Sequence, residues 1–439
     1  MKVLYIIPRY KTYGMEGHYV MPMGILYVSA YVKHSRVADV YTLNLNHVMG
    51  EEYDIIESEI RNHNIDFVGI GGLSGEYKDL ARIVAYVRKI SVNIIIQVGG
   101  GIMTADPEVT MLAMPEVNVG IIGEGELTSV ELIEALRDGK DLSTVDGLIY
   151  RTTNGLRTTK PRKEIEDLDS LPFPDYEGFC YGEYLRNNPD ISDEGKRYSQ
   201  VSVIGGRSCK YNCTFCFHPS GSKYRQRSIG SIFSEIDWLV SHYNITYLAL
   251  REELFATDNE RVRDFCNRME KYDFDWSIQL RIDNVNQELV NMLKNTRCRY
   301  IFIGVESAVN SILKSMHKGI TVEHIEKALK MLHEAGLNSR SGVIMGDTME
   351  TEDTANQTIE WFMKHKDKYR MFLDMIIAFP GSIIYKRACR EGKIPDRIKF
   401  LKDGCPIINL TNMPEEQFLE MMNRVEKFNY RKYNYKKYN

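Results

Sequence analysis

Three cysteines lie close together in the stretch GGRSCKYNCTFCFHP, with the spacing C-x3-C-x2-C. They are Cys209, Cys213 and Cys216. Three thiolates can hold three irons of a 4Fe–4S cluster and leave the fourth iron open, whereas a cluster that only carries electrons usually has four cysteine ligands. An open iron can bind a small molecule and pass it an electron. The spacing therefore favours a cluster that takes part in a reaction.

Two other metal sites use cysteines in a similar way. Zinc normally takes four ligands and is usually supplied by paired C-x2-C knuckles, but here one such pair is present and His218 is the only nearby candidate for a fourth ligand. A ferredoxin-type cluster needs a fourth cysteine, and none lies close in sequence. The remaining cysteines are scattered, as is typical of small buried residues in a reducing compartment. They are Cys180, Cys266, Cys298, Cys389 and Cys405.

The elements around the cysteines predict a barrel. The segment VSVIGG at 201–206 is typical of a buried strand that ends in glycines, and a helical pattern follows at 228–240. The cysteines would then lie on a loop after a strand, which is where catalytic groups gather in β/α barrels. Strand and helix patterns alternate about six times up to residue 390. We therefore predict a partial (β/α)6 barrel of the TIM type over 198–390.

Residues 1–142 show a second alternation of strands and helices. Helical segments near 22–34, 76–91 and 126–137 separate the apolar runs, and this order predicts a doubly wound parallel sheet that binds ligands at the carboxyl ends of its strands. The apolar runs are 3–7, 40–43, 67–72, 93–100 and 119–123.

Glycine-rich turns follow the third, fourth and fifth of these runs. Glycine lets backbone approach a bulky ligand closely, although tight turns between strands and helices also use it. The G-x-G-x-x-G pattern of nicotinamide enzymes is absent after the first run, where PRYKTYG stands, and this argues against a nucleotide. The turn residues are Gly72, Leu73, Ser74, Gly75, Gly99, Gly100, Gly101, Gly123, Glu124 and Gly125.

The cysteine stretch resembles the signature of the radical S-adenosylmethionine (SAM) superfamily, C-x3-C-x-aromatic-C, in which Phe215 is the aromatic residue. The resemblance implies that SAM binds the open iron and is cleaved to a 5′-deoxyadenosyl radical. It implies that Glu252 or Glu253 accepts hydrogen bonds from the methionine ammonium group of SAM. Thr348 and Met349 stand where the family often has Pro and Gly, so the turn there is altered. The SAM contacts that the resemblance implies are Phe215, Glu252, Glu253, Arg281, Glu306, Ser307, Gly346 and Phe379.

The N-terminal region resembles the cobalamin-binding domain that precedes many radical SAM enzymes. The segment MPMGILYVSAYV at 21–32 and the glycine-rich turns carry this likeness, which implies that those turns border cobalamin. Many cobalamin proteins use D-x-H-x-x-G to bind cobalt. Here Leu45, His47 and Gly50 have that spacing without the Asp, and a metal-bound His normally needs a second partner to orient it. We predict that His47 is a loop histidine and that no protein imidazole binds the cobalt.

Two further regions complete the predicted organisation. Residues 143–197 are predicted to form a hairpin that turns at 154–155 and then a linker. In its part 180–197 plain loop is the preferred interpretation, and a lining of the substrate entrance is the alternative. Residues 391–439 are predicted to form a helical extension and a basic tail. The tail KFNYRKYNYKKYN has five basic residues and no acidic one. Its tyrosines could stack on nucleobases, but a frayed end is the favoured interpretation.

Composition limits the classes of partner. A net charge of −4 is too small to indicate nucleic acid or a membrane, and no apolar run approaches the ~20 residues of a membrane span. The N-terminus MKVLYIIPRY is typical of a strand and not of a signal peptide, so we expect a cytoplasmic protein. We expect a small-molecule or natural-product-like substrate and an external electron donor of the flavodoxin or ferredoxin type.

The resemblance implies a cobalamin-dependent C-methyltransferase that acts on an unactivated carbon, with methylcobalamin as the methyl donor. A cyclase, ring-contracting enzyme or dehydratase with the same cofactors is an alternative, because a fold does not by itself fix a function. A non-catalytic cobalamin sensor or carrier is a third interpretation.

Overall fold

The protein is described by a computed structural model, which covers residues 1–10, 19–187, 190–191, 195, 197–429 and 433–438. The chain divides into two compact units. The first comprises 1–189, 217–221 and 396–405. The second comprises 190–216, 222–395 and 406–439.

The first unit is built on a seven-stranded sheet with the order β2-β1-β3-β4-β5-β6-β7. The first five strands pair in parallel, and the last two add an antiparallel hairpin to the edge at β5. The two central turn residues of this hairpin are Thr153 and Asn154, one position before the predicted turn. The strands are β1 (Lys2–Ile7), β2 (Asp39–Asn44), β3 (Phe67–Gly71), β4 (Ile95–Gly99), β5 (Val119–Ile121), β6 (Leu148–Thr152) and β7 (Gly155–Thr158).

The helices of this unit follow the strands and bury one face each. In α3 the buried residues Leu80, Val84 and Val87 recur at helical spacing, so this helix packs on the unit's core. The helices are α1 (Met23–Ser35), α2 (Glu52–His63), α3 (Tyr77–Ile90), α4 (Gly101–Ala105), α5 (Pro107–Ala113), α6 (Gly125–Arg137) and α7 (Tyr181–Asn187).

The sequence analysis missed four of these helices, the short helices α4 and α5 together with α2 and α7. Within the charged helix α2, Ile56 and Ile60 are fully or almost fully buried, and two apolar positions form too weak a periodic signal to identify a helix. The preference for loop over 180–197 was wrong at α7. That helix buries Tyr181, Tyr184 and Leu185 on one side, and tyrosine is ambiguous between a core and a surface position.

The second unit contains a six-stranded, all-parallel sheet whose strands lie in chain order. Two short antiparallel pairs accompany it. The strands of these pairs are β8 (Asp190–Ile191) with β9 (Arg197–Tyr198), and β11 (Gly206–Arg207) with β12 (Arg225–Gln226). The strands of the main sheet are β10 (Gln200–Ile204), β13 (Tyr247–Arg251), β14 (Asp275–Leu280), β15 (Cys298–Glu306), β16 (Ser339–Met345) and β17 (Met371–Met375).

The two faces of this sheet differ. Trp276 of β14 is fully buried, and its ring lies 5.1 Å from that of Phe265, so the face that carries Trp276 packs against the helices.

The remaining helices are α8 (Ile229–His242), α9 (Asn259–Met269), α10 (Gln287–Lys294), α11 (Asn310–Ser315), α12 (Val322–Glu334), α13 (Glu352–His365), α14 (Ile383–Arg390), α15 (Arg397–Lys402) and α16 (Glu415–Asn429). The predicted fold class, a doubly wound parallel sheet followed by a partial (β/α)6 barrel, is confirmed.

The region after residue 390 divides between the two units. Helix α15 packs on α5 in the first unit, where Arg397 forms an ion pair of 3.1 Å with Asp106. The described part of the tail, 433–438, packs in the second unit, where Tyr433 donates a hydrogen bond of 2.7 Å to Asp374. The interpretation of this part as a frayed end was wrong, because contacts within the unit hold it. Within the described ranges, no helix is long and apolar enough to cross a membrane.

Candidate functional site

The cysteine loop begins just beyond the carboxyl end of β10. The pairing of β11 with β12 joins the start of this loop to a later segment of the chain. The backbone of Thr214 donates a hydrogen bond to Met316 and accepts one from Ile384, each at 3.0 Å. These bonds attach the loop to the segments that follow β15 and β17, so its position depends on distant parts of the barrel.

The three thiols influence one another. A hydrogen bond that Cys216 donates to Cys213, together with the positive charges of Lys318 and Arg281, lowers the pKa of the Cys213 thiol to about 6. The shared proton and burial raise the pKa of Cys216. Burial also raises the pKa of Cys209. A thiolate is the form that binds metal, so Cys213 is prepared as a ligand.

Arg281 lies beside the cysteines with its guanidinium group fully engaged. It is 3.9 Å from the Cys213 sulfur, and it donates hydrogen bonds to Asp283 at 3.0 Å and to the Lys318 carbonyl at 2.5 Å. Its plane stacks at 3.6 Å on the ring of Tyr211, which lies inside the cysteine motif. The structure therefore brings Arg281 to the cluster ligands, while its predicted contact with SAM stays a prediction.

Lys318 is a site residue that the sequence analysis missed. Its ammonium group forms a buried ion pair of 2.6 Å with Glu306 and lies 6.0 Å from the ring centre of Phe215. His317 and Gly319 on either side have φ values of 53° and 71°, and Glu306 has 66°. The positive φ is strained at the two non-glycine residues, His317 and Glu306, and such strain clusters at functional sites. The sequence offers one weak signal, the glycine after Lys318, which indicates only a turn.

The two glutamates after β13 have different surroundings. Glu252 is buried and accepts hydrogen bonds from Tyr224 at 2.5 Å, Gln226 at 2.7 Å and Arg261 at 3.2 Å. Glu253 is exposed, and its charge adds to the burial that raises the pKa of Cys209. The carboxylate of Glu252 is thus occupied by the fold, whereas that of Glu253 lies near a cluster cysteine.

The other predicted SAM contacts lie near strand ends. Ser307 is buried, and its hydroxyl lies 3.3 Å from that of Thr358. Gly346 has a φ of 100° and donates to the buried carboxyl of Glu350, whose pKa burial raises to about 7. Phe379 is 42% exposed, just before α14. Of the three, Phe379 has a side chain available to a ligand.

Some glycines of the first unit keep its turns in close contact. Gly100 has a φ of 79°, and a Cβ there would lie 2.9 Å from the carbonyl oxygen of Gly72. A Cβ on Gly101 would lie 2.7 Å from the side chain of Leu73. Gly100 therefore needs glycine for packing within the fold, whether or not a ligand is present, because the backbone of Gly72 cannot give way. The contact at Gly101 is with the end of the exposed Leu73 side chain, which can move aside.

Other glycines at the same edge of the sheet are open. A Cβ on Gly75 or Gly123 would meet nothing within 4 Å. Gly125 is less open, because a Cβ there would lie 2.9 Å from the side chain of Val28. The open positions at the carboxyl ends of β3 and β5 suit the approach of a bulky ligand.

The side chains around these turns also differ in their exposure. Leu73 is 53% exposed, whereas Ser74 is buried. Glu124 is buried and accepts a hydrogen bond of 2.6 Å from the backbone of Ile165. Gly99 pairs with a glycine of β3 at the ends of the two strands. The exposed side chain of Leu73 and the open turns beside it are therefore the predicted positions most accessible to cobalamin.

His47 follows the edge strand β2. Its Nε2 lies 2.8 Å from the hydroxyl of Tyr19, which accepts a hydrogen bond of the same length from Asn44. Burial lowers the pKa of His47. Tyr19 thus supplies a partner within the fold, and the absence of a protein imidazole on cobalt stays a prediction.

Comparison with known proteins gives a family match in each of the two units. The family model for the radical SAM superfamily matches residues 203–362, and the model for the B12 binding domain matches residues 16–133. The chain is 26% identical over 397 residues to an uncharacterized methyltransferase of Pyrococcus horikoshii, and the match covers 88% of this chain and 83% of that protein.

A second relative and a solved structure extend the comparison. The anaerobic magnesium-protoporphyrin IX monomethyl ester cyclase of Rubrivivax gelatinosus is 24% identical over 82% of this chain and 65% of its own length. The radical SAM methyltransferase TsrM from Kitasatospora setae, solved with cobalamin and a 4Fe–4S cluster, has a similar fold. Its TM-score is 0.72 at 17% identity, over 90% of this chain and 78% of TsrM.

No three His, Cys, Asp or Glu side chains in the described part of the chain form a ready site for a single metal ion. The thiols with their adjacent cations fit a 4Fe–4S cluster, and the open glycine turns fit cobalamin. The chain therefore belongs to the radical SAM enzymes that carry a B12-binding domain, and its cofactors are a 4Fe–4S cluster, SAM and cobalamin.

Proposed function

We propose that this enzyme is a C-methyltransferase that acts on an unactivated carbon of a small molecule. The observation that carries the proposal is the thiol triad with its buried cations Arg281 and Lys318, in a chain that also has a B12-binding domain. The Pyrococcus relative and TsrM are both named methyltransferases, which supports methyl transfer over other outcomes. When bound, the cofactors supply a carbon-centred radical and a methyl group.

We assign roles to the side chains around that chemistry. Cys209, Cys213 and Cys216 hold the cluster. Glu253 accepts hydrogen bonds from the ammonium group of SAM, because its exposed carboxylate lies near the cluster ligand Cys209. Lys318 offers a positive charge that its buried ion pair holds in place. The chain's own residues thus bind and orient the reacting groups.

Isotope labelling tests methyl transfer even while the substrate is unidentified. Reconstituted enzyme is incubated anaerobically with a pool of cellular small molecules, a reductant and SAM that carries deuterium in its methyl group. We expect a product heavier by one CH2 group that carries the label, together with 5′-deoxyadenosine and S-adenosylhomocysteine. The control is the Cys213→Ala variant, which should form none of these. Absence of labelled product while 5′-deoxyadenosine forms with a new unlabelled product would contradict methyl transfer.

A cyclase or another enzyme that rearranges its substrate is the second candidate. The similarity to the Rubrivivax cyclase favours a cyclase over a ring-contracting enzyme or a dehydratase. The same experiment separates it from a methyltransferase, because such an enzyme leaves the product without the methyl label.

Arg281 is expected to ease reduction of the cluster. Its positive charge near Cys213 favours the more negatively charged reduced cluster, since net charge and hydrogen bonds to sulfur set cluster potentials. Arg281→Met should lower the midpoint potential of the cluster while the iron content stays unchanged. The potential is measured by EPR of samples poised at known potentials. Arg263→Met, which removes an exposed arginine that pairs with Glu288, is the control. Equal potentials for Arg281→Met and wild type would refute this role.

A further inference from the structure

One face of the barrel sheet carries an apolar layer that is not turned toward the helices. Tyr198, Tyr247, Ala249 and Tyr300 are buried there in one cluster, and Phe302 packs against it. On β14, by contrast, the indole of the strand's tryptophan has the opposite orientation and packs against α9. The face that carries the apolar layer is therefore the inner face of the partial barrel.

Side chains two residues further along a strand point to the same face. On β13 the next inward residue after Ala249 is Arg251, and on β14 the next after Ser277 is Gln279. The pairing of Ala249 with Ser277 places Arg251 and Gln279 side by side. Gln279 in turn pairs with Phe302. These three residues form a row directly above the apolar layer.

This row is available to a ligand. The side chains of Arg251 and Gln279 are both exposed, and neither forms a hydrogen bond or an ion pair with another residue of the described ranges. Phe302 beside them is half-buried and apolar. By contrast, Arg340, the partner of Phe302 on β16, already stacks at 4.1 Å on the ring of Tyr300.

The row also lies close to the cluster ligands. Arg281 stands two residues beyond Gln279, which corresponds to about 7 Å along the strand. The guanidinium group of Arg281 contacts the sulfur of Cys213. A group bound at Arg251 would therefore leave the rest of a small molecule free to extend toward the cysteines.

We propose that Arg251 and Gln279 bind an anionic oxygen group of the substrate, either a phosphate, a phosphonate or a carboxylate. A guanidinium fork and a neighbouring amide provide convergent N–H donors that match such oxygens, and Phe302 forms an apolar wall beside them. The substrate class is thus an anionic small molecule. This inference rests on the proposed function for the identity of the occupant, but the anion site itself can be measured independently.

The test uses inorganic phosphate as the probe and the anaerobically reconstituted full-length enzyme. Binding is followed by phosphorus NMR line broadening at constant ionic strength, which does not depend on turnover. We expect saturable binding to wild type that Arg251→Gln weakens at least about tenfold, because a hydrogen bond to a charged group is lost. Gln279→Glu should weaken it similarly, because its new carboxylate pairs with Arg251. Arg390→Gln, which removes an exposed arginine on α14, is the matched control and should bind normally.

A second measurement distinguishes an anionic group of the substrate from the carboxylate of SAM as the occupant of the site. Formation of 5′-deoxyadenosine from SAM without substrate should be the same in Arg251→Gln and wild type. If this variant loses SAM cleavage together with phosphate binding, the occupant is the SAM carboxylate and the proposal is overturned. It is also overturned if Arg251→Gln and Gln279→Glu bind phosphate as wild type does. If phosphate binding depends on Arg251 as expected but no methylated product forms, the anion site stands and only the proposed function is refuted.

Discussion

Replacement of Cys213 by alanine should abolish formation of 5′-deoxyadenosine and remove most of the bound iron. Cys213 is buried, and its thiol has the lowest pKa of the three cysteine ligands because Cys216 donates to it and two cations face it. Without this thiolate, two ligands remain for a cluster that needs three. Iron and sulfide analysis after anaerobic reconstitution, together with chromatography of the SAM products, measures the effect.

The control for this experiment is Cys389→Ala, which removes a partly buried thiol on α14 outside the cysteine motif. It should keep wild-type iron content and 5′-deoxyadenosine formation. A Cys213→Ala enzyme that still releases 5′-deoxyadenosine at the wild-type rate would show that the cluster is held elsewhere. Retained circular dichroism in both variants would show that the loss arises from the ligand and not from the fold.

Replacement of Gly100 by alanine should destabilise the cobalamin-binding unit by on the order of 1–3 kcal/mol, because its φ of 79° and ψ of −164° are essentially restricted to glycine. The added Cβ would also meet the Gly72 carbonyl oxygen at 2.9 Å, which raises the cost. Thermal unfolding of the full chain should show a lower midpoint, and cobalamin retained after desalting should fall with it.

Gly75→Val is the matched variant for this prediction. A Cβ at Gly75 meets nothing within 4 Å, so its folding stability should change by less than about 0.5 kcal/mol. The larger side chain would nevertheless occupy space that we propose for cobalamin, and the bound cobalamin should decrease. If Gly75→Val binds cobalamin like wild type, the corrin does not approach this turn. If Gly100→Ala unfolds like wild type, the close contact with Gly72 is not important for stability.

Local patterns in the sequence were sufficient for the architecture. The apolar runs at 67–72 and 93–100 became β3 and β4, and the strand before the cysteines became β10. Parallel strands buried on both faces have nearly continuous apolar sequences, so they are recognisable without any tertiary information. Helix α2 was not predicted because it buries few positions, and α7 was not predicted because its buried face consists largely of tyrosines.

The roles of charged residues could not be predicted from local sequence patterns. Nothing in the sequence distinguishes Glu252 from Glu253, yet one accepts three hydrogen bonds within the fold and the other lies near a cluster cysteine. The contact of Arg281 with SAM stays a prediction, and no local pattern indicated that Arg281 stacks on Tyr211 and reaches a cysteine sulfur. Lys318 lies far along the chain from the cysteines, with no motif around it.

The sequence alone therefore determined the order of elements, because apolar runs act over a few neighbouring residues. It determined the cofactors through the resemblance of its cysteine motif and glycine-rich turns to known families. Tertiary structure decided which side chains meet. The Lys318–Glu306 pair joins segments that are distant along the chain, as does the contact of Arg281 with the cysteines. The row of Arg251 and Gln279 exists only because parallel strands place them in register. Such contacts depend on which strands become neighbours and on backbone conformation at turns, whereas local periodicity indicates only which face of a strand a residue occupies.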